Sequence, residues 1–324
     1  MELTEKIHKF KKKTFNNIKF FYSNYFTIEG TYTSLLPDKI YLKKLYKAKT
    51  GKELNLNNPT LFNEKLNWLK LYNRRPEYTM MADKYRVREY IKEKIGEEYL
   101  VPLLGVYDKV EDIDFDSLPN QFVLKCNHDS EVVICRDKEN NDFQCKKGKI
   151  NSIDEVKVYL NKRLGINFYK ASREWPYKNI ERKIICEEYL SDKDSKTLTD
   201  YKFHCFNGEP KYVYVLTEVK DQKYLDFFDM NYKRVPIEHS ALPNSPENTV
   251  FPIPDGFEKM EKTAAKLSHN LPYCRVDLYN ISGKIYFGEI TFFPTGAFAN
   301  FKPEKWNKIF GDYIELPKKK YKAK

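Results

Sequence analysis

The stretch "YCRVDLYNISGKIYFGEITFF", residues 273–293, alternates charged and apolar residues around a turn signal and therefore predicts a β-hairpin. Successive side chains of a strand point to opposite faces, so Arg275, Asp277 and Tyr279 share one face of the first strand. The turn "NISG" returns the chain so that Glu289 and Thr291 reach the same face. Intervening apolar residues indicate that one face of the hairpin is buried: Val276, Leu278, Ile285, Phe287 and Ile290.

Two interpretations of this charged face remain open. Asp277 and Glu289 would repel each other on a core hairpin unless positive charge lay between them. A magnesium ion can supply that charge, because it binds carboxylate oxygens together with water and phosphate oxygens. The alternative is a cross-strand ion pair with Arg275, a common arrangement on exposed sheet faces that contributes little to stability.

The net charge of +11 is concentrated at the two ends of the chain. Residues 1–52 contain 12 lysines and four acidic residues, and residues 318–324 contain five lysines and no acidic residue. The intervening 53–317 is nearly neutral, so we do not expect nucleic acid as a partner. A length of 324 residues suits about two domains of ~150 residues each.

The first 25 residues place apolar side chains at near-helical spacing between lysines, which predicts a basic amphipathic helix. Its apolar stripe either packs on the rest of the protein or lies on an anionic membrane surface. We find neither an apolar run long enough to span a bilayer nor the cleavage site of a secretory signal. The stripe comprises Ile7, Phe10, Phe15, Ile18, Phe21 and Tyr25.

The cysteines predict the compartment. They are scattered, with no pair at metal-binding or redox spacing, which is typical of reduced thiols in a cytoplasmic protein. Together with the basic ends, this favours a cytoplasmic location, with contact at the inner face of the membrane. The six are Cys126, Cys135, Cys145, Cys186, Cys205 and Cys274.

Helices and strands alternate along the body of the chain. We predict a helix after Asn58 as N-cap and Pro59 in the first turn, and a second over 81–96 ending at Gly96. Strand patterns follow at "QFVLKC", "EVVIC" and "RKIICEEYL", with a helix near 153–164 between the last two. "YKFHCFNGEPKYVYVLT" predicts a hairpin turning at "NG", "YLDFFDMNYKRV" another, and "GFEKMEKTAAKLSHN" a helix.

From about residue 36 to 316 the sequence resembles the TupA-like branch of the ATP-grasp ligases. The phrases that carry the resemblance are "FNEKLNWLKLY", "DKYRVREYI", "LPNQFVLKCNH", "EWPYK", "DYKFHCFNGEPK", "RVDLY" and "YFGEIT". It implies an α+β ATP-grasp fold with an N-terminal lobe, a β-rich lid and a C-terminal metal-binding lobe. The expected boundaries are a basic segment 1–52, the N-terminal lobe 53–117, the lid 118–190, the C-terminal lobe 191–317 and a basic tail 318–324.

The resemblance assigns roles to the hairpin residues. Asp277 becomes a magnesium ligand, Glu289 the carboxylate that bridges two ions, and Arg275 a contact to phosphate. Lys202, on the strand "TDYKF", is expected near the γ-phosphate. Position 291 departs from the family, because Thr291 stands where many ATP-grasp enzymes have asparagine, and its hydroxyl is a shorter, weaker metal ligand.

Other residues are expected around the nucleotide. Lys125 in "FVLKC" becomes the lid lysine on the α- and β-phosphates, and Lys84 approaches ATP from the N-terminal side. The phosphate-covering loop lacks the family's glycines, which leaves its polar residues to close over ATP, with Glu131 as an unexpected negative neighbour. The remaining expected contacts are His128, Asp129 and Ser130 in the loop, Glu187, Glu188, Tyr189 and Leu190 around adenine, and Asp200 near ribose.

The resemblance implies an ATP- and magnesium-dependent ligase that joins a carboxylate to an amine through an acyl phosphate. The expected carboxylate is a uronic acid or an acidic group of a surface polysaccharide or its precursor. One alternative is a sugar-nucleotide glycosyltransferase, since "EDIDFD" and "SDKD" carry aspartates two apart. Another is a nucleotide-binding or membrane-docking scaffold without catalysis, suggested by the missing glycines and Thr291.

Overall fold

The structure, a computed structural model, describes residues 36–191, 198–219, 222–239 and 241–318. The predicted amphipathic helix within residues 1–25 lies outside these ranges, as does most of the basic tail. No helix in the described part of the chain combines the length and the hydrophobicity that crossing a bilayer requires. The helices are α1 (Asp38–Thr50), α2 (Phe62–Tyr72), α3 (Glu77–Ala82), α4 (Val87–Lys94), α5 (Ile153–Leu164), α6 (Phe168–Ser172), α7 (Phe257–Ser268) and α8 (Lys305–Tyr313).

Helix α2 begins later than predicted. The N-cap position is Leu61 rather than Asn58, because the carboxylate of Glu64 accepts hydrogen bonds from the backbone N–H groups of Thr60 and Leu61. A glutamate in the first turn thus satisfies donors that the helix itself leaves unpaired. The prediction with Asn58 as cap was wrong, because the acceptor comes from inside the helix.

The helix predicted over 81–96 is two short helices, α3 and α4, separated by a turn. Asp83 causes the break, because its carboxylate accepts hydrogen bonds from the N–H groups of Tyr85 and Arg86. Such side-chain acceptors favour turns over a continuous helix. Lys84 therefore lies in a turn, and its placement on an amphipathic helix was wrong.

The lid is a six-stranded antiparallel sheet with its own hydrophobic core on α5. Its order is β1-β6-β2-β3-β4-β5, so β1 belongs to the lid although residues 53–117 were predicted as N-terminal lobe. The lid therefore begins near residue 103 rather than at 118. The strands are β1 (Leu103–Tyr107), β2 (Phe122–Cys126), β3 (Val132–Asp137), β4 (Asp142–Cys145), β5 (Gly148–Ile150) and β6 (Ile184–Glu188).

The C-terminal lobe is built on a second antiparallel sheet of order β10-β9-β8-β7-β12-β13, and β11 pairs with β14. The predicted hairpin at "NG" is present, with positive φ angles of 49° at Asn207 and 88° at Gly208. The strands are β7 (Asp200–Phe206), β8 (Glu209–Val219), β9 (Gln222–Asp229), β10 (Arg234–Val235), β11 (Glu238–His239), β12 (Tyr273–Ile281), β13 (Lys284–Thr291) and β14 (Phe301–Lys302).

One large core joins the second sheet to the N-terminal helices. Helix α1 contributes Tyr41 and Leu42, both fully buried, so residues 38–50 pack in the globular body rather than in a separate basic segment. Phe62 of α2 contacts the rings of Tyr273 and Phe310, at centroid distances of 5.0 and 5.7 Å. All six cysteines are buried, and none forms a disulfide.

Replacing Phe62 by alanine should lower the free energy of unfolding by about 3–5 kcal/mol, since it opens a cavity among aromatic rings that cannot easily collapse. Chemical denaturation measures the loss. The control is Val158→Ala, whose side chain is 71% exposed on α5 and should change stability little. A loss below about 1 kcal/mol in Phe62→Ala would contradict this description of the core.

Candidate active site

The register of β12 with β13 brings the predicted hairpin charges together. Asp277 pairs with Glu289 and Arg275 with Thr291 across the two strands. The guanidinium of Arg275 donates to Asp277 in a bidentate manner, with both N···O distances at 2.6 Å, and to Glu289 Oε1 at 3.0 Å. Arg275 Nη1 also donates to the hydroxyl of Tyr214 at 3.0 Å. The charge between the two carboxylates is therefore an arginine.

Lys202 reaches the same cluster from β7, because β7 pairs with the other edge of β12. It stands opposite Asp277, and its Nζ donates to Asp277 Oδ2 at 2.6 Å. It also forms an ion pair with Asp200, two residues earlier on the same face. The predicted proximity of Asp200 and Lys202 is present, and both join the hairpin charges.

Lys84 completes the cluster from the N-terminal lobe. Its Nζ lies 3.0 Å from Glu289 Oε2, and its backbone N–H donates to the carbonyl of Asn127 in the lid. The amide of Asn127 in turn donates to Asp83. The turn that replaced the predicted helix thus carries Lys84 to the hairpin and links it to the lid.

The cluster holds three cations against three carboxylates. Burial alone would raise the pKa of Glu289, but Lys84, Arg275 and Lys202 hold that pKa well below its usual range. Burial alone would lower the pKa of Lys202, but Asp200 and Asp277 hold it well above its ordinary value. Both side chains are therefore charged at neutral pH, and the balanced cluster can exchange internal partners for ligand phosphates.

Glu289 and Thr291 offer oxygens to the magnesium that the resemblance implies. Glu289 is 30% exposed at its side chain and lines a cavity, next to the hydroxyl of Thr291 at 2.9 Å. Its Oε1 accepts from Arg275 and its Oε2 pairs with Lys84, so a bound ion would replace those cations. Both oxygens of Asp277 are also taken, by Arg275 and Lys202, and its side chain is 2% exposed. Within the described ranges no three acidic, histidine or cysteine residues are placed to hold a metal ion by themselves, so an ion here would need phosphate or water oxygens as further ligands.

The cluster lies at one end of a cavity of about 650 Å³. Lid residues His128, Asp129 and Ser130 line it beside Lys84, as the sequence predicts for a phosphate-covering loop. The volume is in the range of small-molecule sites. The rest of the lining is Leu45, Ala48, Lys49, Phe168, Ala171, Ser172, Glu174, Tyr177, Arg275, Glu289, Thr291, Phe293, Pro294, Thr295, Gly296 and Phe298.

Side chains within the lid hold its cavity-lining loop. Arg163 of α5 binds Asp129 in a bidentate manner at 2.5 Å, and His128 Nε2 hydrogen-bonds the carbonyl of Ile166. Burial lowers the pKa of His128, so the ring is neutral at physiological pH. The negative charge of Glu131 has a partner within the lid, because the hydroxyl of Tyr159 donates to the Glu131 carboxylate at 2.8 Å.

Lys125 and Glu187 form a second group, on the lid strands. Lys125 Nζ lies 2.6 Å from Glu187, which is also 3.5 Å from Arg88, and neither Lys125 nor Glu187 lines the main cavity. The N–H of Glu188 donates to the carbonyl of Pro102. Tyr189 and Leu190 form no backbone hydrogen bond within the described part of the chain. Their role in binding adenine stays a prediction.

Sequence reasoning expected the segments "EWPYKN" and "FFPTGAFANF" to recognise the substrates but named no single residue in either. Glu174 and Tyr177 line the cavity, Tyr214 accepts a hydrogen bond from Arg275, and Lys70 is buried. The phrase "EWPYK" was the signal available, since it contains both Glu174 and Tyr177, but its position next to the cavity depends on distant contacts.

Fold and charge cluster together define an ATP-grasp protein, with a β-rich lid over a cavity that ends in paired cations and carboxylates. The sequence matches the TupA-like ATPgrasp family over residues 64–315, more than half of the chain, and the protein belongs to that family.

Solved structures provide a further comparison, at low similarity. D-alanine–D-alanine ligase from Bacillus anthracis is 17% identical over 72% of this chain and 60% of that protein, with a TM-score of 0.38. The D-alanine–D-alanine ligase from Helicobacter pylori is 14% identical over 78% and 69%, with a TM-score of 0.38. D-cycloserine synthetase DcsG is 14% identical over 74% and 70%, with a TM-score of 0.34. No curated protein matches the sequence.

Replacing Asp277 by leucine should destabilise the protein by about 3–5 kcal/mol, because it leaves Arg275 and Lys202 without their buried counter-charge. Denaturant titration measures the change. Glu258→Ala, which removes an exposed partner of Lys262, should leave the denaturation midpoint unchanged. Equal midpoints for Asp277→Leu and the parent would show that the cluster is not a buried ion network.

Proposed function

We propose that the protein is an ATP-dependent ligase that joins a carboxylate to an amine through an acyl phosphate. The observation that carries this proposal is a linked charge cluster at the cavity: Lys84 and Arg275 pair with Glu289, and Arg275 and Lys202 pair with Asp277. Three cations around two carboxylates and a hydroxyl suit the oxygens of a magnesium-bound triphosphate. Membership of the TupA-like ATP-grasp family supports the same reaction.

Phosphoryl transfer requires positioning and charge stabilisation rather than a covalent nucleophile. In the proposed reaction Lys202 and Arg275 neutralise the charge of the transferring phosphoryl group. Lys84 contacts the ATP phosphates from the N-terminal lobe. Magnesium, when bound, shields the charge of the β- and γ-phosphates. Glu289 and Thr291 would hold the ion, while His128, Asp129 and Ser130 would close the lid side and exclude water from the acyl phosphate.

The expected nucleotide contacts complete the proposal. Lys125 binds the α- and β-phosphates after it dissociates from Glu187. The segment 187–190 binds adenine. Asp200 lies near the ribose.

An ion on Glu289 would displace Lys84 or Arg275, and a second ion on Asp277 would displace Lys202 or Arg275. Glu289, at 30% exposed against 2% for Asp277, is the more accessible of the two ligands.

The proposed carboxylate is a uronic acid or an acidic group of a surface polysaccharide or its precursor, and the second substrate is an amine. The aromatic rings of Phe168, Phe293 and Phe298 line the cavity and support an organic substrate there. The basic residues 1–25 would bring the enzyme to an anionic membrane where such precursors are handled.

The glycosyltransferase alternative receives less support. In "EDIDFD", Asp114 accepts hydrogen bonds from the N–H groups of Asp116 and Ser117, so the acidic pair forms an exposed turn outside the cavity. Most of "SDKD" lies outside the described residues. A non-catalytic scaffold is less supported as well, because Lys84 and Arg275 line the cavity and Lys202 joins them through Asp277.

Glu289→Gln should keep the fold yet lower ATP turnover at least 100-fold, because it preserves the shape of the proposed metal ligand and removes its charge. A coupled ADP assay measures turnover, and magnesium-dependent thermal stabilisation by ADP shows that the nucleotide site is intact. Turnover at the parent rate would overturn the metal assignment, and stabilisation by a uridine diphosphate sugar alone would favour the glycosyltransferase.

An acyl phosphate can be captured by hydroxylamine as a hydroxamate. With ATP, magnesium and a panel of uronic acids and acidic amino acids, hydroxamate should appear in step with ADP and vanish in Asp277→Asn. A sugar kinase would instead give a stable phosphate ester. ADP release without hydroxamate, on a compound that is demonstrably consumed, would overturn the ligase proposal.

A further inference from the structure

The cavity lining contains a buried carboxylate, Glu174, with only one hydrogen-bond partner among the described residues. Glu174 is 5% exposed and lines the cavity together with Ser172. The hydroxyl of Ser172 donates to Glu174 Oε1 at 2.5 Å. Within the described ranges no hydrogen bond reaches Oε2. A buried carboxylate oxygen in this condition requires a donor, and the cavity is where one can come from.

The positive charge of Lys70 stabilises the buried carboxylate of Glu174 without a hydrogen bond to it. The fully buried ammonium of Lys70 attracts Glu174 electrostatically, yet it donates its hydrogen bonds to the carbonyls of Ser172 at 2.9 Å and Gly296 at 2.5 Å. Burial lowers the pKa of Lys70 to about 8, and Glu174 partly offsets that decrease. Burial raises the pKa of Glu174, against the influence of Lys70.

The same contacts fix the position of the carboxylate. Lys70 connects the backbone of Ser172 to that of Gly296, and its ammonium lies 5.5 and 4.9 Å from the rings of Phe293 and Phe298. Gly296 has a φ of +64°, and a Cβ there would lie 3.1 Å from Ser172 Cβ. The wall is therefore closely packed, and Glu174 is held rather than free to turn away.

Tyr177 lines the same cavity as Glu174 and Glu289. Burial raises its pKa well above the usual value, and the charges of Glu174 and Glu289 raise it further, so the phenol stays neutral. Glu174 and Glu289 thus border one space, where a reacting carbonyl would stand in the proposed function.

We propose that Glu174 binds the amino group of the amine co-substrate, the second substrate of the proposed ligase. The free Oε2 accepts a hydrogen bond from the nitrogen, and Ser172 orients the carboxylate. The rings of Phe168, Phe293 and Phe298 pack against the carbon skeleton of the amine. This assignment rests on the proposed function and names the chemical class of its second substrate: a primary amine with an apolar face.

The position also gives Glu174 a part in the reaction. The nitrogen lone pair forms a bond to the acyl carbon, and the bond from that carbon to the phosphate oxygen breaks, with its electron pair leaving on phosphate. An amine bound as the ammonium ion first gives one proton to Glu174 Oε2, which frees the lone pair. The second proton, lost from nitrogen as the amide forms, leaves with the phosphate. A buried carboxylate suits the first transfer, because its surroundings favour the neutral acid that results.

Binding of benzylamine to the nucleotide-free protein tests the assignment, with benzyl alcohol as a probe of similar shape that carries no charge. We expect benzylamine to bind the parent at least 10-fold more tightly than benzyl alcohol, by ligand-observed NMR or calorimetry. Glu174→Gln should remove that preference and weaken benzylamine binding at least 10-fold, with benzyl alcohol unaffected. Glu209→Gln, a change at an exposed carboxylate outside the cavity, should behave as the parent.

Equal binding of the two probes to the parent, or benzylamine binding retained in Glu174→Gln, would overturn the assignment. Stabilisation by magnesium and ADP reports separately on the nucleotide site, so a failure of the proposed function is distinguishable from a failure of this inference. If Glu174→Gln does not fold, the double variant Lys70→Met with Glu174→Gln removes both buried charges and takes the same test.

Discussion

The bidentate contact between Arg275 and Asp277 is the interaction on which the site depends. Both residues lie on β12, the strand between β7 and β13, so the pair is covered on each side by a paired strand. Lys202 enters from one neighbour and Glu289 from the other. Because a shift of one residue in either register would turn a partner to the opposite face, the charge cluster and the sheet pairing specify each other.

A short turn joins the three parts of the molecule at this point. Asp83 ends α3 early, its acceptor contacts shape the turn, and Asn127 binds the turn to the lid. Lys84 then reaches Glu289 on the C-terminal sheet. Any ligand that draws Lys84 away from Glu289 acts on a segment that is already bonded to the lid, which provides a physical route from phosphate binding to lid closure.

Another part of the cavity lining is built by the segment between α5 and β6. Arg173 adopts a positive φ of 56°, stacks over Tyr41 at 4.1 Å and pairs with Asp38 at 3.2 Å. These contacts fasten the segment to α1. Glu174 and Tyr177 follow directly, so their direction into the cavity depends on that attachment. The lining thus combines the cations Lys84 and Arg275 with the buried carboxylate of Glu174.

The sequence by itself determined the hairpin of residues 273–293 and its charged face, because strand periodicity and turn chemistry are local. It also determined that Lys202 and Asp200 share a face. Tertiary structure decided that Arg275 donates to both Asp277 and Glu289, that Lys84 stands in a turn, and that Glu187 takes Lys125 as partner. It alone created the wall of Glu174, whose supports, Lys70 and Gly296, are 104 residues before it and 122 after it. Contacts at such separations depend on how whole lobes pack, and no local periodicity encodes them.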